Sequence, residues 1–346
     1  MGAASEELAA DRTAERAQEL LRTLVPEGAG LVLGECVKIA SGVSHDTYLL
    51  NAHKSSSQDD TANPEFVLRV APTSGTQPSL DIETQYGLLK ELAEKGVPVP
   101  RVYGWDSGKA FGDRPCVLME RVKGESYVTW QSFGEKKGQE TLDAVRRQFV
   151  AVLANIHALD WRTLNLPNFH PPKNAHDYAL KELKHWRSKL TKRDEEEHPI
   201  LRQAALWLSR NAPRCNHPIV IVHGDYRLNN IIVKDSVIRA ILDWEVAGLG
   251  DPIADLGMAA MSVWGRGFFT RQELLREYKT VTGLSASVEE LCYWEALNYF
   301  KTIAATFGFM RAFRKGEIHD LRVGLSGILL SSFFTDLARL MEGRPW

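Results

Sequence analysis

The stretch IVHGDYRLNNIIVKDSVIRAILDWEVAGLGDPIADLG, from Ile221 to Gly257, places polar side chains at the ends of short apolar runs. One apolar run ends at Val222, His223 comes directly after it, and the loop GDYRLNN follows. Two β-branched runs, IIV and VIRAIL, come next and are separated by the turn residues KDS. Short β-branched runs on either side of a turn predict a β-hairpin.

The turn of this hairpin also predicts which residues face each other. A ladder folded about KDS pairs Ile231 with Leu242 and Asn230 with Asp243. Asp225 lies five residues upstream of Asn230, on the loop. An amide oxygen and carboxylates are hard ligands of the kind that Mg²⁺ takes together with water and phosphate oxygens. The sequence therefore predicts a magnesium site at Asn230 and Asp243, beside Asp225.

The order of these residues fits phosphoryl transfer. That reaction needs a group that accepts the proton of the attacking hydroxyl or orients it, and groups that hold a metal ion. Asp225 is the candidate for the first role, with His223 close to it. Arg227 is the candidate cation for the charge that develops on the phosphate. An isolated HGD tripeptide also fits a turn with a buried histidine, but the second carboxylate in ladder register favours catalysis.

The composition disfavours several classes of protein. The chain has 346 residues with 42 basic and 44 acidic side chains, so no overall field attracts nucleic acid or an anionic membrane. Its four cysteines form no C-x-x-C pair, which indicates reduced thiols. The histidines show no metal-ligand spacing, and no run resembles a secretory signal or a membrane span. We expect a cytoplasmic protein without nucleic-acid or membrane partners; the oligomeric state stays open.

Secondary-structure patterns predict an α+β fold in two lobes. Five β-like runs, with one helix between the third and the fourth, predict an antiparallel sheet: LVLGECVKIA, TYLLNAHK, EFVLRVAP, RVYGWD and PCVLMERV. After Gly124 the apolar period becomes helical, and helices are predicted over about 174–190, 199–211, 252–263, 270–282, 287–313 and 318–342. The predicted domains are an N-terminal helix (1–28), an N-lobe with the sheet (29–122) and a mostly helical C-lobe with the hairpin (123–346).

HGDYRLNN, ILDWE and GDPIADLG resemble the aminoglycoside phosphotransferase family, whose fold is related to those of choline kinase and the protein kinases. Within that family the chain most resembles the kinase-like domain fused to acyl-CoA dehydrogenases and its stand-alone bacterial relatives. The similarity runs through FVLRVAP, GVPVPRVYGWD, VLMERVKGESY, IHALDWRTLNLPNF and DYALKELKHWRSKL. It implies a protein-kinase-like fold, ATP and Mg²⁺ as cofactors, Asp225 as catalytic base, Asn230 and Asp243 as metal ligands, His223 as support for the loop and Asp255 as a structural residue.

The resemblance also implies a nucleotide site in the N-lobe. Its residues are Ser41, Gly42 and Ser44 in a turn over the phosphates, Arg69 as the phosphate-binding cation, Glu83 or Gln85 as the partner of Arg69, and Met119, Glu120 and Val122 around the adenine. Two features depart from the family pattern: the turn has one glycine, and the position of the family's glutamate is Gln85. By themselves the turn is compatible with an ordinary hairpin, and Arg69 with a solvated edge residue.

The sequence thus predicts an ATP- and Mg²⁺-dependent phosphotransferase that moves the γ-phosphate to a hydroxyl of a small molecule: an amino sugar, sugar, amino alcohol or hydroxyacyl compound. The segment after Asp243 is too short for a regulated activation segment, which disfavours a protein kinase. The alternative is a non-catalytic kinase-like module that binds nucleotide. The helix over 287–313 is either core with a solvated basic face or a wall of the acceptor site, where Lys301, Arg311, Arg314 and Lys315 would favour an acidic acceptor.

Overall fold

A computed structural model describes residues 3–26, 28–39, 45–54, 63–72, 80–318 and 320–343. The chain divides into two compact units. The first consists of Met1–Lys95 and Val99–Val122, and the second of Gly96–Pro98 and Lys123–Trp346. No helix in the described ranges combines the length and the apolar character needed to cross a membrane.

The first unit contains an antiparallel five-stranded sheet and two helices. The strand order is β1-β2-β3-β5-β4. The elements are α1 (Ala3–Leu24), β1 (Leu31–Ile39), β2 (Asp46–Lys54), β3 (Glu65–Val70), α2 (Ile82–Glu94), β4 (Val102–Asp106) and β5 (Cys116–Glu120). The five strands and the single helix between the third and the fourth were all predicted.

One face of this sheet forms the core of the first unit. Phe66, Leu68 and Val70 alternate along β3 and are buried, because successive side chains of a strand point to opposite faces. Leu20 and Leu21 of α1 belong to the same core cluster. Burying each large aliphatic or aromatic side chain contributes about 1.5–3 kcal/mol. Arg69 lies between the buried positions and therefore projects from the opposite face of the sheet.

The second unit is mostly helical. Its helices are α3 (Trp130–Lys137), α4 (Gln139–His157), α5 (Ala175–Arg187), α6 (Lys192–Glu197), α7 (Pro199–Arg210), α8 (Ile253–Ala260), α9 (Ser262–Gly265), α10 (Arg271–Thr282), α11 (Val288–Arg314) and α12 (Leu321–Met341). Its strands form two small antiparallel pairs, β6 (Val220–Val222) with β9 (Gly248–Gly250) and β7 (Ile231–Lys234) with β8 (Val237–Ile241).

The predicted helix over 252–263 is wrong in one respect, because it is two helices. Met261 has φ −53° and ψ 130°, which is an extended conformation, and this residue separates α8 from α9. The side chain of Met261 is fully buried. Its burial is a tertiary constraint that the helical apolar period alone does not reveal. Gly257 lets α8 pack tightly on α11, since a Cβ there would lie 2.7 Å from the backbone carbon of Trp294.

The predicted register of the β7–β8 hairpin is also wrong, by one residue. Ile231 pairs with Ile241 rather than with Leu242. The turn has two residues instead of three, because Asp235 and Ser236 both adopt positive φ, 52° and 60°. Two such residues are typical of the type I′ turns that suit the twist of a hairpin. A bulge next to Val233 then shifts the ladder once more before the strands end.

Candidate active site

A buried carboxylate holds the loop that follows β6. Asp255, in the first turn of α8, is 0% exposed. Its Oδ2 accepts a hydrogen bond from the backbone N–H of His223 and its Oδ1 one from that of Gly224, both 2.8 Å long. His157 Nε2 lies 3.2 Å from the same Oδ2. Burial by itself raises the pKa of Asp255, but the hydrogen bond from His157 and the nearby histidines outweigh it and hold the pKa below its usual value.

Gly224 is needed at the centre of this loop. Its φ is +79°, and a Cβ at this position would lie 2.5 Å from the carbonyl oxygen of Val246. Lys301 Nζ, from α11, donates a hydrogen bond of 2.5 Å to the Gly224 carbonyl and lies 5.2 Å from the ring centre of Trp186. The loop is therefore held at both its N–H groups and its carbonyl by charged side chains of two different helices.

The hydrogen bonds of His223 define its protonation. Its Nδ1 accepts a hydrogen bond of 3.1 Å from the backbone N–H of Asp225. Its Nε2 lies 2.8 Å from the carbonyl oxygen of Leu242, to which it must donate. One accepting and one donating nitrogen describe the neutral ring. Burial lowers the pKa of His223 and favours that neutral form, against the raising effect of Asp255 and Asp225. His223 thus connects the loop to the end of β8.

Asp225 and Asn230 are joined directly. Asn230 Nδ2 donates to the Asp225 backbone carbonyl at 2.9 Å and to its carboxylate Oδ2 at 2.8 Å. With the amide nitrogen used in this way, the Asn230 side chain presents its oxygen as a ligand. The N–H of Leu242 donates to the Asn230 carbonyl at 2.7 Å, so Asn230 faces Leu242 and not Asp243. Asp243 comes one residue further, with φ +66°.

Arg227 lies against the candidate base. Its Nε is 2.8 Å from Asp225 Oδ1, and the side chains of both residues are about one-fifth exposed. The N–H direction does not satisfy the geometry of a hydrogen bond, so the contact is an ion pair only. The guanidinium carbon is 4.3 Å from the ring centre of Trp264, a cation–π contact. Arg227 is thus fixed between a carboxylate and an aromatic ring.

The candidate nucleotide residues belong to the first unit, and three of them, Ser41, Gly42 and Ser44, lie outside the described residues. Arg69, on β3, donates from Nη2 to His45 Nδ1 at 3.0 Å. Gln85 is 2% exposed and donates from Nε2 to the Leu80 carbonyl at 2.8 Å. Glu83 lies in the first turn of α2. The buried amide of Gln85 thus holds the chain that enters α2.

The strand predicted to face the adenine is β5. Met119 is buried on it. Glu120 is its last residue and pairs with Arg101 twice, since the Arg101 N–H donates to Glu120 Oε1 and the Glu120 N–H donates to the Arg101 carbonyl, both at 2.9 Å. Val122 is half-buried just after the strand. The side chain of Glu120 therefore has a structural partner in the backbone of Arg101.

Two basic residues of α11, Lys301 and Arg311, have internal partners, whereas the sequence pattern predicted a solvated face or a wall of the acceptor site. Lys301 is neither a solvated cation nor a free wall residue, because it is 9% exposed and bonded to Gly224. A sequence signal existed: Leu297 and Ala304, one helical turn on either side, are apolar and buried. Arg311 Nη1 pairs with Asp194 Oδ2 at 2.6 Å, so this cation also has an internal role.

The candidate site thus consists of a loop held by the buried carboxylate of Asp255 and of the hairpin that follows this loop, with Asn230 before its first strand and Asp243 after its second. The chain belongs to the phosphotransferase enzyme family, whose model matches residues 35–289, more than half of the sequence. Acyl-CoA dehydrogenase family member 10 of Mus musculus is 26% identical over 318 residues, which are 86% of this chain and 28% of that protein. The chain spans about a third of the length of the acyl-CoA dehydrogenase family members that it matches.

Solved structures show the same fold. A protein from Ralstonia eutropha JMP134, provisionally named an aminoglycoside phosphotransferase, matches with a TM-score of 0.74 and 21% identity over 95% of this chain and 98% of that one. Aminoglycoside phosphotransferase APH(4)-Ia, solved with AMP-PNP and hygromycin B, has a TM-score of 0.62 and 16% identity over 95% of this chain and 97% of that one. The predicted family and the predicted fold class are both confirmed.

Proposed function

We propose that this member of the phosphotransferase family transfers the γ-phosphate of ATP to a hydroxyl group of a small molecule, with Mg²⁺. The observation that carries the proposal is the hydrogen bond of 2.8 Å from Asn230 Nδ2 to Asp225 Oδ2. It orients a carboxylate that can accept a proton next to an amide oxygen that can bind a cation. Asp225 is the proposed base or orienter of the attacking hydroxyl.

The donor set fits magnesium. Asn230 and Asp243 offer an amide oxygen and a carboxylate, and Mg²⁺ takes one or two protein carboxylates while it keeps other positions for water and phosphate. Asp243 has a left-handed backbone conformation, with φ +66°. When bound, the ion supplies positive charge that stabilises the phosphate oxygens. These two residues would hold it.

The neighbouring residues position the base. His223 fixes the Asp225 backbone N–H, and Asp255 fixes the two N–H groups before it. Arg227 lies 2.8 Å from the carboxylate and would add a cation for the transferred phosphate. Because proton transfer requires hydrogen-bond contact with the reacting hydroxyl, an orientation fixed in advance lowers the entropy cost of the reaction.

Nucleotide binding is assigned to the domain over 29–122, and catalysis and acceptor binding to the domain over 123–346. Arg69 would bind phosphate oxygens, the turn with Ser41, Gly42 and Ser44 would cover them, and Met119 with the backbone of Glu120 and Val122 would bind the adenine. Glu83 or Gln85 would orient Arg69. Support comes from the nucleotide analogue bound to the structural relative APH(4)-Ia. A cytoplasmic location would give this site ATP.

The acceptor is proposed as a class: an amino sugar, a sugar, an amino alcohol or a hydroxyacyl compound. The relatives that are named acyl-CoA dehydrogenase family members favour the hydroxyacyl compound as the first to test. The basic residues of α11 give less support to an acidic acceptor than their sequence does, because Lys301 and Arg311 have internal partners.

The test is ADP release by the purified chain with ATP, Mg²⁺ and a library of hydroxylated metabolites from these four classes. We expect turnover with one class, loss of at least about 10²-fold in Asp225→Asn from the removal of a general base, and no turnover in Asp243→Ala. Asp235→Asn is the matched control, because this exposed aspartate lies in the turn of the same hairpin. It should keep full activity.

The alternative is a kinase-like module that binds nucleotide without catalysis. In that case ATP would raise the melting temperature while no library member promotes ADP release, and Asp225→Asn would change neither result. Wild-type turnover that survives Asp225→Asn would also contradict the assigned base.

A further inference from the structure

A group of metal-binding side chains lies outside the site described above. Cys215 and His217 precede β6, Asp251 follows β9, and Glu290 lies in the first turn of α11. The antiparallel pairing of β6 with β9, in which Val220 faces Gly250, brings the chain before one strand next to the chain after the other. Residues far apart in the sequence therefore meet, although their spacing matches no familiar metal motif.

Three of the ligand atoms already form a compact triangle. Cys215 Sγ is 3.3 Å from His217 Nδ1, His217 Nδ1 is 3.1 Å from Asp251 Oδ2, and Cys215 Sγ is 3.5 Å from the same Oδ2. Zinc bonds of about 2.3 Å to sulfur and 2.0–2.2 Å to nitrogen or oxygen, at tetrahedral angles, require ligand separations of about 3.3–3.6 Å. The observed triangle agrees with these separations within a few tenths of an ångström.

A fourth candidate ligand and a supporting hydrogen bond are also present. The ligand atoms of Cys215, His217 and Glu290 all lie within 4.8 Å of one another, which places the half-buried Glu290 carboxylate beside the triangle. Asp251 is fully buried, and its Oδ1 accepts a hydrogen bond of 2.8 Å from the Ile253 N–H, which leaves Oδ2 directed at the group. Orientation of a ligating carboxylate by a second hydrogen bond is usual in protein metal sites.

We propose that Cys215, His217, Asp251 and Glu290 bind a zinc ion that fastens the segment before β6 to the start of α11. Thiolate, imidazole and carboxylate in a tetrahedral arrangement favour Zn²⁺ over Mg²⁺ and Ca²⁺. Binding displaces two protons, the thiol proton of Cys215 and the proton that His217 Nδ1 donates to the Asp251 carboxylate, and both are released to solvent. Four protein ligands leave no open position, so the site is structural and independent of phosphoryl transfer.

The experiment uses the reduced full-length chain, stripped with a chelator and reloaded with Zn²⁺ in excess Mg²⁺, which saturates oxygen-only sites. We expect one zinc equivalent retained after desalting and a higher melting temperature than that of the stripped chain. Cys215→Ser and Glu290→Gln should each weaken zinc binding at least about tenfold. Glutamine keeps the capping contact of Glu290 with the Ser287 N–H.

The controls are Cys36→Ser, which removes a half-exposed thiol from the first unit, and Glu289→Gln, which removes an exposed carboxylate next to Glu290. Both should retain zinc. With Co²⁺ in place of zinc, the thiolate-to-cobalt absorption band should be present in wild type and absent in Cys215→Ser. Asp225→Asn should retain zinc, so this result does not depend on catalysis. Wild type that retains no zinc, or a cobalt band that survives Cys215→Ser, would overturn the proposal.

Discussion

The carboxylate of Asp255 accepts hydrogen bonds from His223 N, Gly224 N and His157 Nε2, so Asp255→Asn is a sharp test of how the catalytic loop is held. An asparagine has one accepting oxygen. If that oxygen accepts the hydrogen bonds from His223 and His157, the amide nitrogen faces the Gly224 N–H, and two donors then stand opposite each other without an acceptor. One charge-assisted bond is lost, about 1.5–3 kcal/mol, and one buried N–H is left unsatisfied, about 1–3 kcal/mol. Relief of the buried charge offsets part of this sum, and we expect a net loss of about 3 kcal/mol.

The loss is measured by urea unfolding, followed by the fluorescence of the buried Trp130, Trp244 and Trp294 of the second unit. The midpoint should fall while the slope stays unchanged. At about 2–4 °C per kcal/mol, the melting temperature should fall by about 6–12 °C. Asp235→Asn, in the exposed hairpin turn, should stay within about 0.5 kcal/mol of wild type. A loss below about 1 kcal/mol for Asp255→Asn would refute the role of this carboxylate.

The same pair of proteins gives a pH test. The pKa of Asp255 is lowered by folding, so its carboxylate stabilises the folded state above the unfolded pKa of about 3.9, and this contribution is lost as the pH falls through the lower folded value. Asp255 also raises the pKa of His223, so the comparison is made below about pH 5, where the histidines are already protonated in the unfolded chain. From about pH 5 to 2 the difference between wild type and Asp255→Asn should shrink, and a difference that grows over this range would contradict the direction of the shift.

Three further predictions concern the loop. Gly224→Ala should destabilise the second unit by at least about 1 kcal/mol and abolish turnover. Gly224 has φ +79°, and the added Cβ would lie 2.5 Å from the Val246 carbonyl oxygen. Urea unfolding measures the first effect and ADP release the second. Lys301→Met should cost about 1.5–3 kcal/mol by urea unfolding, since it removes the charged donor to the Gly224 carbonyl, whereas Lys315→Met at the exposed end of α11 should be neutral. Burial lowers the pKa of His223, so this histidine should destabilise the folded state as the pH falls below its unfolded pKa of about 6.5. In unfolding titrations, His223→Asn should lose less unfolding free energy than wild type between about pH 7 and 5. An equal loss in the two proteins would contradict the neutral ring.

The sequence by itself determined the elements and the chemistry of the hairpin. Alternation along β3 and the helical period of α4 are local patterns, and local backbone geometry converts them into a buried face. The oxygen ligands were also readable, because Asn230 and Asp243 stand at the two ends of one short hairpin. The predicted register is wrong by one residue, so Asn230 faces Leu242 rather than Asp243. Asp243 is the next residue along the chain, so both predicted ligands still lie at the same end of the hairpin.

The tertiary structure decided which polar groups hold the loop before that hairpin. Lys301 and Asp255 reach the loop only because α11 and α8 pack together, and a close approach at Gly257 allows that packing. Cys215 and Glu290 are 75 positions apart in the sequence, so they too lie close together only because whole elements pack against each other. The apolar neighbours of Lys301 on α11 indicate that this residue is buried, but the group that it contacts depends on the packing of whole elements. Strand alternation and turn chemistry act over a few residues and can therefore be predicted from the sequence.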